Sequence, residues 1–364
     1  MKRYVVEKAS LEHNVRLILE KAGDKVVWGV IKGNGYGLGV VPMSRLLAAY
    51  GIRHFAVTDI HEVRALREDG CEDPILMLSG TCDPAEVNEL LDLNAILTVS
   101  SVEDAKVLDE QARLRATVAE AHVKIDTGMG RYGFLPTETD RILSVFRYLG
   151  NLHVTGTYTH YANAFRSVKK TQEQLDIFRA VVDKIRAAGY DPGMLHASNS
   201  EAMFGCKLPN LDAVRIGSAL GGRVISKGDH GLQRTGRLQS QISEIRWLPK
   251  GAEVGYGSAY VTKQPTRVAI VPVGSSDGYM VEKIRTSHSF KACFRAACSA
   301  MLGFFRRRRY YVLVDGKRAP VIGHVGVNHT AIDVTNIPCA PGDTVLMDAA
   351  PLFVPDSIPR QYVD

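Results

Sequence analysis

The chain has 364 residues, more than a single hydrophobic core usually holds, so two domains are expected. Hydrophobic residues make up 45% of the chain and charged residues 23%, which is an ordinary composition for a globular protein and excludes a low-complexity or fibrous one. The net charge of +6 is modest and gives no reason to expect a nucleic-acid partner.

Targeting and membrane signals are missing from the sequence. Residues 1–14 contain two early basic residues but no apolar core followed by a small-residue cleavage site. No segment reaches the roughly 18 uninterrupted apolar residues of a membrane span. The six cysteines lack CxxC spacing, which favours reduced thiols over disulfides or a metal site. We therefore expect a cytoplasmic protein without a metal.

Strand-like and helix-like stretches alternate over about the first 220 residues. After a short first strand, Ser10 is expected to cap a helix with apolar positions Leu11, Val15, Leu17 and Ile18. Later predicted elements follow in this order: strand 26–32, helix from 40, strand near 54, helix 60–69, strand near 74, helix 84–92, strand near 95, helix after 101, strand near 122, helix 137–149, strand near 152, helix 170–188, and strands near 194 and 211.

This alternation predicts an α/β fold, a parallel (β/α)8 TIM-like barrel over residues 1–230. An open doubly wound sheet fits the same pattern. From residue 231 onward, short β-rich runs with Asp-Gly and Pro-Gly turns predict an all-β C-terminal domain, residues 231–364, which contains an insertion near 285–309.

The most informative stretch is 26–39, VVWGVIKGNGYGLG. A buried strand ends on Lys32, and a glycine-rich loop follows it. Because an apolar setting disfavours the charged amine, Lys32 is a candidate to form a Schiff base with a carbonyl compound. The plainer alternative is a lysine that snorkels from a strand end. The glycine spacing fits neither a Walker loop nor a dinucleotide fingerprint.

The segment KGNGYG resembles KANAYG of the alanine racemase family, and further motifs of that family recur in the same order from Lys32 to Asp333. The resemblance implies that Lys32 carries pyridoxal 5′-phosphate and that Tyr36 helps to hold its phosphate. The segment AHVKIDTGMGRYGF is similar to the family motif HxKxDTGMGRxG. By that resemblance Arg131 contacts the cofactor's phenolic oxygen and the substrate carboxylate, and Lys124 occupies a position that some members carry as a carbamate.

Three further segments complete the implied cofactor site. GTYTHYANA resembles the family's YTHFA segment and supplies His160, while HASNSEAM supplies Asn199 and Ser200. VRIGSALGG supplies Arg215, Gly217 and Ser218, and backbone amides after a late barrel strand are the usual phosphate cradle of this fold. A guanidinium facing the pyridine nitrogen would leave that nitrogen unprotonated and weaken the electron sink, which we expect to suppress side reactions.

In EVGYGSAY, Tyr256 matches the family's catalytic tyrosine. Racemisation needs an acid-base group on each face of the substrate, because a single group that returns its own proton restores the original enantiomer. Lys32 and Tyr256 meet this need. Since a free tyrosine has a pKa of about 10, it requires positive neighbours, for which His160 and Arg215 are candidates. The resemblance implies that the tyrosine comes from the other subunit of a head-to-tail homodimer.

The chain also departs from the family. Ser275 stands where a substrate-corridor tyrosine is expected, and Val327 and Asn328 replace a methionine and an aspartate in the segment that binds the substrate carboxylate. Asp356 falls at the position of another corridor tyrosine if IPRQY aligns with the family's VPRxY ending. Loss of two bulky side chains favours a substrate larger than alanine, including a basic amino acid that could meet Asp356.

The insertion has two interpretations. Residues 290–305 could form an amphipathic helix, with Arg306–Arg309 as a basic patch for a membrane surface or nucleic acid. The simpler interpretation is a solvated insertion. The resemblance as a whole implies a pyridoxal-phosphate-dependent isomerase that interconverts L- and D-alanine. The alternatives are a racemase of serine, lysine or ornithine, and a pyridoxal-phosphate-binding protein with little racemase activity.

Overall fold

A computed structural model describes residues 1–281, 293–294, 297–298 and 310–364. Most of the insertion near 285–309, including Arg306–Arg309 and most of the proposed helix 290–305, lies outside the described residues. The chain divides into two units, one of residues 7–235 with the final residue and one of residues 1–6 with 236–363. The domain boundary expected after residue 230 stays a prediction.

Eight parallel strands form the sheet of the first unit, in the order β4-β3-β2-β9-β8-β7-β6-β5. Its two ends join, because Met77 N–H donates to Ile96 O and Ile96 N–H donates to Ile75 O, both at 2.8 Å. The sheet is thus a closed barrel and not an open sheet, which confirms the predicted fold class. Its strands are β2 (Val26–Val30), β3 (His54–Val57), β4 (Ile75–Met77), β5 (Leu97–Val99), β6 (Ala119–Lys124), β7 (Leu152–Tyr158), β8 (Met194–Asn199) and β9 (Ala213–Ile216).

Helices alternate with these strands as the sequence predicted. Several begin at a side chain that accepts a main-chain N–H, among them Asp59, Asp83, Ser101 and Ser167. The helices are α1 (Lys8–Ala22), the short turn α2 (Lys32–Tyr36), α3 (Val40–Ala49), α4 (Ile60–Glu68), α5 (Pro84–Asp92), α6 (Val102–Leu114), α7 (Thr139–Tyr148), α8 (Val168–Ala187) and α9 (Ser200–Gly205).

The predicted start of the first helix was wrong. Helix α1 begins at Lys8, with Glu7 at its N-cap and no side-chain cap, so Ser10 lies inside the first turn. The main-chain N–H of Glu7 donates to Thr235 O at 2.8 Å, which fixes the chain immediately before the helix. Ser10 is buried there and its hydroxyl donates to the Glu7 carboxylate at 3.1 Å.

The second unit is β-rich, as predicted. Nine strands form one sheet in the order β11-β14-β17-β16-β15-β18-β10-β1-β19, and β12 and β13 form a separate antiparallel hairpin. The strands are β1 (Arg3–Glu7), β10 (Gly236–Gln241), β11 (Glu244–Leu248), β12 (Glu253–Val254), β13 (Tyr260–Val261), β14 (Thr266–Val271), β15 (Tyr311–Val314), β16 (Lys317–Ile322), β17 (Thr330–Asp333), β18 (Thr344–Met347) and β19 (Arg360–Val363).

The first strand of the chain pairs with this second sheet. Strand β1 runs antiparallel to β10, with Arg3 opposite Gln239. Its burial alternates residue by residue, whereas β4 and β5 of the barrel are buried throughout. Alternation is typical of an antiparallel strand with one covered face, and continuous burial is typical of a parallel barrel strand. None of the helices in the described part of the chain is long and apolar enough to cross a membrane.

Candidate active site

A cavity of about 280 Å³ lies in the first unit, at the carboxyl ends of the barrel strands. Its volume is close to the lower end of the range for small-molecule sites, about 300 Å³. Ten residues that the sequence singled out line it together: Lys32, Tyr36, Lys124, Arg131, His160, Asn199, Ser200, Arg215, Gly217 and Ser218. The structure therefore brings the predicted barrel residues to one cavity.

Lys32 opens a turn of unusual backbone conformation. The two residues on either side of Asn34 are glycines, and φ is positive at Gly33 (63°), Asn34 (52°) and Gly35 (66°). Side chains with a Cβ rarely adopt this left-handed region, which explains the glycine-rich sequence after Lys32. The buried carboxylate of Glu62 on α4 holds the turn by accepting Asn34 N–H at 2.8 Å and Thr58 N–H at 3.1 Å.

Asp126 organises the loop that carries Arg131. Its carboxylate accepts four main-chain N–H groups, those of Gly128, Met129 and Gly130 on Oδ1 and that of Arg131 on Oδ2, at 2.7 to 3.1 Å. Burial by itself raises the pKa of the Asp126 carboxyl, but the four donors outweigh it and the pKa is lowered overall. The aspartate of the DTGMGR segment thus stabilises the loop as a carboxylate.

Lys124 is buried at the end of β6, between two tyrosine rings. Its Nζ lies 5.3 Å from the ring centroid of Tyr132 and 5.4 Å from that of Tyr158. Burial, followed by the positive charges of Arg131 and Arg215, lowers the pKa of Lys124 to about 8. A substantial fraction of this amine is therefore uncharged at mildly alkaline pH, which is the form that reacts with carbon dioxide.

The turn after β9 is built around a close contact between Tyr36 and Gly217. A Cβ at residue 217 would lie 2.5 Å from the Tyr36 hydroxyl oxygen, so a larger residue there would displace the Tyr36 side chain. The hydroxyl of Ser200 accepts the N–H groups of Gly217 at 3.1 Å and of Ala219 at 3.2 Å. Because Ser200 Oγ accepts these two N–H groups, its own hydroxyl proton can be donated to an anion, and the Tyr36 hydroxyl lies beside the same turn. The two hydroxyl groups and the turn form an anion cradle.

Arg215 is fully buried beneath the cavity. Its Nη2 donates to Thr159 O at 2.6 Å, and His160 Nδ1 lies 3.4 Å from the same atom. Burial lowers the pKa of Arg215 to about 10, so the guanidinium remains charged at neutral pH. Burial and then the charge of Arg215 lower the pKa of His160 well below its usual value. Asn199 fixes the far side of that ring, with Nδ2 at 3.3 Å from His160 Nε2.

Several residues that shape the site were not predicted as site residues. They are Glu62, His122, Tyr158, Gln174 and His196. All are buried, and His122, Tyr158 and His196 occur in segments already quoted for their neighbours. The available signal was a polar or ionisable residue within an apolar strand or on the core face of a helix, which requires a buried partner.

The second unit contains the remaining predicted residues. Tyr256 opens a short 3₁₀ turn, Tyr256–Ser258, between β12 and β13, and the residue is 86% exposed. The segments around Ser275 and Val327 lie together within this unit, because Ser275 N–H donates to Gly326 O at 3.0 Å. Ser276 Oγ donates to the side-chain oxygen of Asn328 at 2.7 Å.

Asp356 lies near the end of the second unit and is 78% exposed. Its carboxylate is 3.8 Å from Arg360 Nη2. Arg360 also donates to the carbonyl oxygens of Val354, Pro355 and Ile358, so it is firmly held by the same segment. A basic substrate at Asp356 would compete with this neighbouring cation.

The closed barrel, with a lysine, an anion cradle and a buried arginine around one cavity at its strand ends, defines an enzyme of the (β/α)8 class. The family model for the alanine racemase N-terminal domain matches residues 6–223, and the model for the C-terminal domain matches residues 235–350. The chain belongs to the alanine racemase family, whose members are pyridoxal-phosphate-dependent isomerases.

Individual alanine racemases are similar to this protein along nearly the whole chain. An alanine racemase of Desulforamulus reducens is 32% identical over 335 residues, 90% of this chain and 84% of the relative. One from Carboxydothermus hydrogenoformans is 33% identical over 352 residues, 94% of this chain and 88% of the relative. A solved alanine racemase of Clostridium difficile 630 is 25% identical with a TM-score of 0.84, covering 100% of this chain and 95% of that chain.

Proposed function

We propose that this chain interconverts L- and D-alanine with bound pyridoxal 5′-phosphate, using Lys32 and Tyr256 as the two acid-base groups. The observation that carries the proposal is the convergence of Lys32, Arg131 and Arg215 on one cavity with the Tyr36–Gly217 cradle. The lysine amine matches an aldehyde, the Arg131 guanidinium a carboxylate and the anion cradle a phosphate, while Arg215 would face the cofactor ring.

The residues around the cavity fit the cofactor. Glycine at 217 lets the Tyr36 hydroxyl lie against the turn, and the hydroxyl groups of Tyr36, Ser200 and Ser218 would donate to the phosphate. Lys32 would hold the cofactor covalently through Nζ, and Arg131, His160, Asn199 and Arg215 would surround its ring. Pyridoxal 5′-phosphate, when bound, withdraws electrons from the substrate Cα and eases loss of its proton.

Two protein groups are then required to move that proton. Lys32 Nζ, free once the substrate amine has taken its place, would remove the proton from Cα on one face of the substrate, and the Tyr256 hydroxyl would deliver one to the opposite face. The roles reverse for the other enantiomer. Arg131 orients the substrate by binding the carboxylate of the amino acid, and Asp126 holds the loop that carries Arg131. Neutral His160 and charged Arg215 are the proposed polar neighbours of the tyrosine in the assembled site.

We further propose a head-to-tail homodimer in which each subunit supplies Tyr256 to the cavity of the other. The 86% exposure of Tyr256, in a turn between two short strands, supports this proposal. A tyrosine left this exposed within its own chain has its side chain available to a second copy. Mixing inactive Lys32→Ala and Tyr256→Phe chains tests it, because a heterodimer regains one complete site.

A substrate larger than alanine is the second candidate. It is supported by Ser275 and Asp356, which stand where the family pattern has two bulky tyrosines. Loss of one side-chain contact with the substrate shifts selectivity between amino acids by only about 1 to 3 kcal/mol, so alanine remains the first candidate.

The test uses the purified full chain loaded with cofactor. Deuterium uptake at Cα in heavy water and loss of optical rotation are measured for alanine, serine, lysine and ornithine. Fast exchange and racemisation of alanine would support the proposal, and a preference for lysine or ornithine would favour the second candidate. Visible absorbance of bound cofactor without exchange for any amino acid would indicate a binding protein instead. Tyr260→Phe is a matched control for Tyr256→Phe, because it also removes one phenolic oxygen, from strand β13 immediately after the Tyr256 turn.

A further inference from the structure

Three buried side chains form a directional hydrogen-bonded series below the cavity. Arg215 Nη1 lies 2.8 Å from His196 Nδ1, and His196 Nε2 lies 2.9 Å from His122 Nδ1. Arg215, His196 and His122 are each at most 3% exposed, so no bulk water competes for these bonds. We name this set the arginine–histidine series.

The chemistry of arginine fixes the direction of every proton in the series. A guanidinium has only donors, so His196 Nδ1 must be the acceptor and must lack a proton. A neutral imidazole then carries its proton on Nε2, which donates to His122 Nδ1. By the same reasoning, neutral His122 carries its proton on Nε2. One charged residue thus selects the tautomer of two histidines.

Aromatic packing holds the central ring in the required plane. Tyr158 stacks on His196 with ring centroids 4.8 Å apart and planes 13° apart, and Trp28 stacks on it at 6.3 Å and 21°. Tyr158 also covers Arg215, whose guanidinium carbon lies 4.9 Å from its ring centroid. Gly156 makes space for the second histidine, because a Cβ there would lie 2.7 Å from His122 Nε2.

The acceptors around Arg215 are neutral. They are the carbonyl oxygens of Thr159, His196 and Ala197 and the ring nitrogens of His196 and His160. A carboxylate in the place of His196 would hold the guanidinium equally well but would cancel its charge. A neutral imidazole orients the guanidinium and leaves its full positive charge directed toward the cavity.

We propose that His196, supported by His122, is a positioning residue that orients Arg215 through a neutral imidazole fixed as the Nε2–H tautomer. The inference rests on the proposed function for the role of Arg215 toward the cofactor, whereas the tautomer is a property of the protein alone. The charged or titratable groups that face His196 are Arg215, His122 and Tyr158. Its tautomer should therefore persist across neutral pH.

The first experiment needs neither cofactor nor substrate. The full chain labelled with 15N-histidine is studied by NMR without cofactor between about pH 6 and 8, the range in which histidine ordinarily titrates. We expect His196 and His122 to keep a protonated Nε2 and an unprotonated Nδ1 throughout. A protonated Nδ1 on His196, or its titration in this range, would overturn the proposal whatever the enzyme proves to catalyse.

A pair of variants then separates orientation from packing. His196→Phe keeps a ring between Tyr158 and Trp28 but removes the acceptor, while His196→Gln keeps an acceptor without the ring. Loss of a hydrogen bond to a charged group predicts a fall of about tenfold to hundredfold in kcat for the phenylalanine variant, with KM changed less than about threefold. The glutamine variant should recover most of that loss. Equal losses in both variants would contradict an orienting role and indicate packing alone.

Discussion

Gln174 Nε2 donates to Thr127 Oγ1 at 3.2 Å and thereby joins helix α8 to the loop that carries Arg131. The other end of the same amide reaches the loop after β7, since Gln174 Oε1 accepts Ala162 N–H at 2.9 Å. Thr127 also shares a hydrogen bond of 2.7 Å with Thr159, the residue before His160. One buried amide thus fixes two neighbouring active-site loops relative to each other.

Replacing Gln174 with methionine keeps the length of the side chain and removes all hydrogen bonds of its amide, including one from Nε2 to His160 O at 3.4 Å. Because Arg131 orients the substrate in the proposed mechanism, we expect KM to rise about tenfold, with a smaller effect on kcat. Steady-state kinetics measures the effect. Gln172→Met is the matched control, since Gln172 lies on the same helix and pairs with Asp176 at the surface. Equal effects of the two substitutions would rule out the loop connection as the cause.

Gly217→Ala tests the cradle. The added Cβ would lie 2.5 Å from the Tyr36 hydroxyl oxygen, so the tyrosine must move away from the turn. Overpacking of this kind typically costs about 1 to 3 kcal/mol, and we expect cofactor affinity to fall by at least tenfold. Titration of cofactor into the unloaded chain, followed by absorbance, measures this affinity.

Gly221→Ala is the matched control for that substitution. A Cβ at residue 221 meets no atom closer than 3.7 Å, so the variant should bind cofactor as the unchanged chain does. Unchanged affinity in Gly217→Ala would show that Tyr36 can move without loss and would remove it from the cradle.

The sequence predicted the barrel and much of its cavity because the information for both is local. Apolar strands repeat at regular spacing, and each polar motif follows a strand directly, so the barrel topology brings those motifs to one end. Ser10 was misread because a cap was inferred from residue type alone, whereas hydrogen bonding of Glu7 to the distant Thr235 sets the start of α1.

The supporting residues could not be predicted in the same way. Glu62 resembles any other acidic residue of a charged helix until the fold brings its carboxylate to the N–H of Asn34. His196 and Arg215 come from different strands, β8 and β9, and their contact depends on the register between those strands. A single sequence can indicate that such a side chain needs a buried partner, but which partner it has is a property of the tertiary structure.

Asp126→Asn tests the loop that precedes Arg131. Asparagine keeps one acceptor oxygen but presents an NH₂ group to an N–H donor, so we expect a loss of about 1 to 3 kcal/mol in unfolding free energy at neutral pH. Because the folded-state pKa of Asp126 is lowered, its stabilising effect is present above its ordinary pKa of about 4 and is lost as the pH falls below it.

The measurement for Asp126 is urea unfolding at several pH values. The difference between the unchanged chain and Asp126→Asn should be largest near neutral pH and should shrink in acid. Asp183→Asn, on the exposed face of α8, is the control and should show little difference at any pH. A difference between the chains that stays constant into acid would mean that the carboxylate charge does not stabilise the loop.

Lys124 provides a second pH-dependent prediction, in the alkaline range. Its pKa is lowered to about 8, below the ordinary lysine value of about 10.4, so between these values the unfolded chain binds the extra proton. Stability contributed by this group therefore rises with pH across that window. The unchanged chain should gain stability relative to Lys124→Met between about pH 8 and 10, measured by thermal unfolding of both chains in the same buffers.

The same uncharged amine should react with carbon dioxide. With 13C-bicarbonate at about pH 8, we expect a carbamate carbon resonance in the NMR spectrum of the unchanged chain, because Lys124 is half deprotonated there whereas an unperturbed lysine is almost fully charged. Lys124→Arg should lack the signal, since a guanidinium keeps its proton. Lys106→Arg, a substitution on helix α6, should retain it. A resonance of equal intensity in Lys124→Arg would assign the carbamate to another amine and leave Lys124 as a cation between Tyr132 and Tyr158.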